Sequence, residues 1–205
     1  IVKIKKLLDE GYDKNIKNSL NYTPLVKAFS ICRLENLQAM VEISDLLYDG
    51  TTDSIKSFII STLIIKGGYK MEFSFSLKIK AAKEAVWTYY ANIEKWYDWE
   101  EDLKNITLNG KFETGSCGTM ELEDMPPMEY QLTLVKPFEE FWDKTETPFG
   151  AILFGHQIID NHDGSVNVKH TVSLESEDKQ HLEFLSQVFS DVPQSIFILK
   201  NCLER

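Results

Sequence analysis

No stretch of this chain stays apolar for the roughly 20 residues that a membrane-crossing helix needs. The longest candidate, Phe58-Ile59-Ile60-Ser61-Thr62-Leu63-Ile64-Ile65, ends at Lys66, so no membrane span is expected. The opening IVKIKKLLDEG is a basic amphipathic pattern with no cleavage site after it, unlike a signal peptide. It starts at Ile1 rather than Met, as expected of a fragment. Cysteine is scarce: Cys32, Cys117 and Cys202 stand alone without CxxC spacing. Three scattered thiols suit neither a disulfide framework nor a zinc site. They read as free thiols of a reducing compartment, the cytoplasm. GxSxG, HExxH and a phosphate-cradling glycine loop are all missing, and no cofactor is expected.

Positive charge is also short, but only in one part of the chain. Residues 1–70 carry ten Lys/Arg against eight Asp/Glu, net +2, whereas residues 71–205 carry twelve against twenty-four, net −12. The second part repels phosphate backbones, so no nucleic-acid partner is expected. This bears on VWTYYANIEKWYDW, residues 86–99, which holds three of the four tryptophans. Aromatic platforms for nucleic acid interleave rings with basic residues, and this stretch sits in an acidic frame.

The charge break coincides with a change of pattern. Lys66-Gly67-Gly68-Tyr69-Lys70 is a cluster of breakers. Before it the apolar spacing is helical: Ile4, Leu7 and Leu8 form one stripe, and Met40, Val41, Ile43, Leu46 and Leu47 form another. Thr23 can cap a helix with Pro24 at its first position. The features Leu7-Leu8, Gly11, Asp13, Asn15, Thr23-Pro24-Leu25, Ala28, Leu46-Leu47 and Gly50 resemble ankyrin repeats, with Val26 departing from the pattern and a lengthened stretch at Ser30–Asn36. Residues 1–66 are therefore expected to be a small all-α segment, either ankyrin-like or a plain helical hairpin. Little more than one repeat is present, so further repeats upstream or a supporting neighbour are expected. The ankyrin resemblance implies a protein partner for this segment.

From Met71 the period becomes two: Met71, Phe73, Phe75, Leu77 and Ile79 share one face of a strand over 71–80. A domain boundary is placed near residues 66–71. Lys83–Ile93 reads as a helix, and Glu94–Leu103 as a short second helix with Trp96 and Trp99 at i, i+3. Strands are expected at Gly118–Glu123, Met128–Lys136, Glu139–Thr147, Ala151–Asp160 and Ser165–Ser176. In the second of these, Met128, Tyr130, Leu132 and Leu134 are expected on one face. From Glu177 to Leu203 the period is helical again, with Pro193 kinking or splitting the helix. The class is α+β: a curved antiparallel sheet that buries one face against a long C-terminal helix.

Ala85-Val86-Trp87, Trp96-Tyr97-Asp98-Trp99, Leu108 to Gly115, Gly118-Thr119, Phe154-Gly155-His156, Asp163-Gly164 and His170-Thr171-Val172 carry a resemblance across residues 71–205. In order and spacing they resemble the START-like, helix-grip superfamily, also called SRPBCC or polyketide cyclase/dehydrase and lipid-transport proteins. The resemblance implies a sheet wrapped around the C-terminal helix with a hydrophobic ligand cavity between them. It also implies that the short helix with Trp96 and Trp99 closes the gap beside that cavity, Trp99 acting as a gate.

Two histidines are the sharpest polar feature. If His162-Asp163-Gly164 is a three-residue hairpin loop with glycine left-handed, Asn161 opposes Ser165 and His156 opposes His170, both on the apolar face. The pair is a candidate for acid–base work or for orienting a ligand. His162 and His181 are poor third ligands, so no metal site is expected. Cys117 has no base in its local sequence. Glu121, Glu123, Asp124 and Glu129 read as a solvated outer face. Phe141 and Trp142 are neighbours, of which one points inward, and Asp143-Lys144 does not decide between them.

The expected ligand-lining set is Trp99, Met120, Leu122, Tyr130, Leu132, Trp142, Phe154, His156, His170, Leu185, Phe189 and Ile196. The leading expectation is a cytoplasmic module that binds a small hydrophobic molecule. The alternative is a cyclase/dehydratase-type enzyme in which His156 or His170 is the general base and Tyr130 donates to a developing enolate. A third reading takes the cavity as vestigial and the chain as a scaffold.

Overall fold

The structure is a computed structural model; it describes residues 59–65, 68–178 and 180–204. The ankyrin-like features, Cys32 and the partner surface expected of residues 1–66 lie outside the described residues, except for 59–65.

There the helical expectation is corrected. Ile59–Ile65 is a strand, β1, paired antiparallel with β2, Gly68–Ile79. Five of its seven residues are β-branched, a composition that favours a pleated strand over a helix. The sheet therefore begins before residue 71, and the two strands pair from Ile65↔Gly68 outward.

After β2 come helix α1, Lys83–Ala91, and a 3₁₀ helix, Ile93–Asp98. The side chain of Asn92 caps the latter by accepting from the Glu94 amide. Strands β3 (Leu103–Leu108), β4 (Cys117–Leu122), β5 (Met128–Lys136), β6 (Glu140–Thr147), β7 (Gly150–Asp160) and β8 (Val166–Ser176) follow. β3 falls where a helix was expected to reach Leu103. Its register slips between Leu103 and Asn105, which breaks the alternation that would have announced a strand.

All eight strands pair antiparallel in the order β1-β2-β8-β7-β6-β5-β4-β3. The face formed by Met71, Phe73, Phe75, Leu77 and Ile79 is fully buried, as its alternation predicts. The C-terminal segment covers it as two helices, α2 (His181–Val188) and α3 (Val192–Leu203). The single long helix is thus split, with Pro193 in the first turn of α3, where its missing N–H costs no hydrogen bond. Phe189, in the break, stacks on Phe73 of β2, and Phe197 of α3 packs on Phe75. The Lys80 amide donates to Glu204, and Lys200 donates to the Lys78 carbonyl, tying the end of α3 to the end of β2. No helix among the described residues is long and apolar enough to cross a membrane.

Candidate functional site

The β7–β8 hairpin has the register counted from its loop. Asn161 donates to Ser165, Gly164 is left-handed, and His156 pairs with His170. The two rings lie 4.4 Å apart, buried on the helix-covered face. The Tyr90 hydroxyl of α1 and His170 Nε2 share a hydrogen bond (2.8 Å). The His156 ring stacks on Phe141 at 4.1 Å and nearly parallel, and its Nδ1 stands 3.9 Å from Asp143 Oδ1 with no hydrogen-bond partner among the described residues. Burial holds His156 down at about 3, and His170 is likewise pushed well below the usual imidazole range by burial and by its neighbour His156. Both rings are neutral at pH 7. Burial works on Asp143 in the opposite sense and raises it to about 8.

Beside this pair lies a cavity of about 400 Å³. Met120, Leu122 and Met128 of β4 and β5 form one wall, with Ile152, Phe154 and Val172 of β7 and β8 beside them. Phe184, Val188 and Val192 close the helix side, and exposed Met125, Gln187 and Asp191 mark the rim. Thr145 Oγ1, buried on the wall, also has no partner.

Of the expected ligand-lining residues, Met120, Leu122, Phe154, His156 and His170 line the cavity. Leu132, Leu185, Phe189 and Ile196 belong instead to the packed core and do not line it. Trp99 is corrected in the same way. It is 1% exposed, wedged against Tyr90, Trp96 and both histidine rings, so it supports the pair from behind rather than gating the cavity. Trp96, three residues earlier, lines the cavity instead.

Trp142 is on the opposite face of the sheet. Phe141 points inward, as do Asp143 and Thr145 at steps of two. The Trp142 ring lies across Gly155, where an added Cβ would come within 2.5 Å of it. A bulge in β5 between Leu132 and Leu134 shifts the parity, so Val135 pairs with inward Phe141 while Leu134 pairs with Trp142. The expectation that Leu134 shares the face of Leu132 is thereby corrected. Tyr130 is also corrected as an enolate donor: its hydroxyl donates to the Thr107 carbonyl (2.9 Å) and does not line the cavity. That reach needs Gly118, where a Cβ would sit 2.0 Å from Thr107 O and 2.6 Å from the Tyr130 ring.

Sequence reasoning missed the carboxyl groups. Glu100, Asp102, Asp143 and Asp191 all line the cavity, from the turn after the 3₁₀ helix, from β6 and from the α2–α3 break. Ser195 Oγ donates to Glu100 Oε2 (2.9 Å). Burial, with Asp191 and then Asp102 adding repulsion, pushes Glu100 well above the usual carboxylate range. The parity of Phe141 could have drawn in Asp143; nothing local marks the other three. His162 is exposed in its turn, and His181 Nδ1 meets Ser176 Oγ at 2.7 Å. Among the described residues, no three His, Cys, Asp or Glu side chains are grouped to hold one metal ion.

No family model matches the chain, and no curated protein matches it. Solved structures do. Norcoclaurine synthase from Thalictrum flavum, in complex with dopamine and hydroxybenzaldehyde, superposes with a TM-score of 0.55 at 8% identity, covering 70% of this chain and 96% of that one. Ara h 8.0201 gives 0.53 at 7% identity, covering 66% and 98%. CalU16 from Micromonospora echinospora gives 0.53 at 11%, covering 75% and 74%. At these identities the likeness is one of fold: an antiparallel curved sheet closed by C-terminal helices, the helix-grip arrangement.

Proposed function

We propose that the chain binds one small, mostly apolar molecule between the sheet and α2–α3. The observation that carries this reading is the cavity itself, about 400 Å³, walled by Met, Leu, Ile, Val and Phe side chains with a few polar atoms set among them. Apolar walls supply affinity and sparse polar groups fix orientation. The exposed free thiol of Cys117 supports a reducing compartment, the cytoplasm. The test is mass spectrometry of molecules that co-purify with the native protein, joined to titration with the neutral probe 2-(2-naphthyl)ethanol. Saturable binding that Phe154→Ala weakens is expected. No extractable molecule and no saturable binding would sink the reading.

A second reading, a cyclase/dehydratase-type enzyme, is favoured by the unpartnered His156 Nδ1 facing Asp143. On this reading the acid–base role falls to Asp143 rather than to a histidine. A ring held at about 3 is a weak base, whereas a carboxyl at about 8 can give or take a proton near neutral pH. On this reading Asp143 transfers the proton and the histidines orient the substrate. Replacing both histidines with alanine separates the two readings. Lost turnover with retained binding supports the enzyme, and unchanged turnover removes them from the chemistry.

A further inference from the structure

The polar groups of the cavity are one-sided. Among the described residues four carboxyl side chains line it, and no Lys or Arg does. Glu100 is the centre of the group: Asp191, Asp102 and Asp143 each act on it through space. It is held by Ser195 in the first turn of α3, and Asp191 immediately precedes that helix. The carboxyls therefore flank the helix-side rim, with Asp143 deeper on β6. Spread around the wall rather than converged on one point, they do not form the ligand set of a metal ion.

A second feature is independent of the acids. Among the described residues His156 Nδ1 and Thr145 Oγ1 have no hydrogen-bond partner, although His156 is 7% exposed and Thr145 is 5% exposed. Leaving buried polar atoms unpaired is unfavourable, and both residues lie on the cavity wall. They call for a hydrogen-bonding group on whatever fills the space.

We propose that the apolar molecule held here carries a basic amine, whose ammonium group is met by Glu100 and Asp191 at the helix-side rim, while a second polar group meets Thr145 and His156. The proposal rests on the reading of the cavity as an apolar-ligand site and names its ligand class. A cation between like-charged carboxyls offsets their repulsion, and an anion would add to it. The charge of residues 71–205, net −12, draws cations toward the rim from outside. The same cavity is lined by the aromatic rings of Trp96 and Phe154, and by Met120, Met125 and Met128, whose adaptable apolar surface suits the rest of the molecule.

The experiment compares three probes of one shape on the full chain by calorimetric titration: 2-(2-naphthyl)ethylamine, 2-(2-naphthyl)ethanol and 2-naphthylacetate. The amine is expected to bind about tenfold or more tighter than the alcohol, and the carboxylate weakest. In Glu100→Gln with Asp191→Asn the amine is expected to fall to the affinity of the alcohol, while the alcohol's own affinity, unchanged, reports an intact cavity. Equal binding of amine and alcohol in the native protein overturns the amine proposal and leaves the apolar-ligand reading standing. So does a preference for the carboxylate, or an amine preference that survives in the double variant. Binding of none of the three overturns both.

Discussion

His156 and His170 stand opposite one another across β7 and β8, yet only one of them is satisfied within the fold. His170 takes the Tyr90 hydroxyl at 2.8 Å. His156 has the Phe141 ring on one face, the Trp99 ring nearby and an unpaired Nδ1 toward Asp143. The same strand pairing therefore sets two histidines on the cavity wall, one held by a hydrogen bond from the fold and one with an open nitrogen. The distinction is set by α1: the Tyr90 ring packs against both histidines, but its hydroxyl reaches only His170.

Tyr90→Phe should expose that asymmetry. It leaves the buried His170 Nε2 without its hydroxyl partner, at an expected cost of about 1–3 kcal/mol. Urea denaturation of the variant beside the native protein measures it. A loss below a few tenths of a kcal/mol would mean that the hydrogen bond contributes little.

Trp99→Ala is expected to act on stability rather than on access to the cavity. Truncating a buried aromatic costs about 3–5 kcal/mol, and this one is almost fully enclosed. Trp142→Ala, by contrast, should leave binding of 2-(2-naphthyl)ethanol unchanged, because that ring covers Gly155 on the opposite face. If Trp142→Ala abolished binding, the assignment of the two faces would be reversed.

Stability should fall between about pH 6.5 and 8. The folded chain keeps the Asp143 proton up to about 8, while the unfolded chain loses it near the ordinary 3.8. Its contribution is present at low pH and is lost as pH rises through that interval. The histidines run the other way: His156 near 3 makes the folded chain refuse a proton that the unfolded chain accepts below 6.5, so their cost appears only on the acid side. Denaturation midpoints at pH 6.5 and 8 should therefore differ, and Asp143→Asn should reduce the difference while raising stability at pH 8. An undiminished difference in Asp143→Asn would exclude this carboxyl as the cause.

Gly118→Ala should destabilise by about 1–3 kcal/mol, the range for overpacking. Its methyl group would displace the Tyr130 ring and break the bond to Thr107. Pairing it with Tyr130→Ala, which clears the ring but leaves the Thr107 carbonyl in place, should recover part of the loss. No recovery would place the whole strain on the Thr107 backbone.

How much of this was legible beforehand depended on whether local pattern and tertiary contact agreed. The alternation from Met71 to Ile79 sufficed to name a buried face, because one set of positions is apolar and the other polar. The loop His162-Asp163-Gly164 sufficed to pair His156 with His170, because a hairpin register follows from loop length alone. Pro193 sufficed to break the C-terminal helix, because its ring lacks the N–H that a helix interior requires.

Other features needed the assembled sheet. Phe141 and Trp142 are both aromatic, so alternation relates them as opposites but does not say which is inside. The β5 bulge reverses parity between Leu132 and Leu134 with no mark in composition, and the slip in β3 hides a strand in the same way. Glu100, Asp143 and Asp191 are far apart along the chain and belong to a turn, a strand and a helix break. By themselves they are ordinary solvated acids. Only the seating of α3 against the 3₁₀ helix and the sheet brings them to one cavity, where burial and mutual repulsion alter their chemistry. The sequence by itself thus determined the order of elements, the buried faces with one-sided alternation and the histidine register, all of which follow from local periodicity. The tertiary structure decided which aromatic ring turns inward and where the charges meet, because both depend on contacts between segments that carry no information about one another.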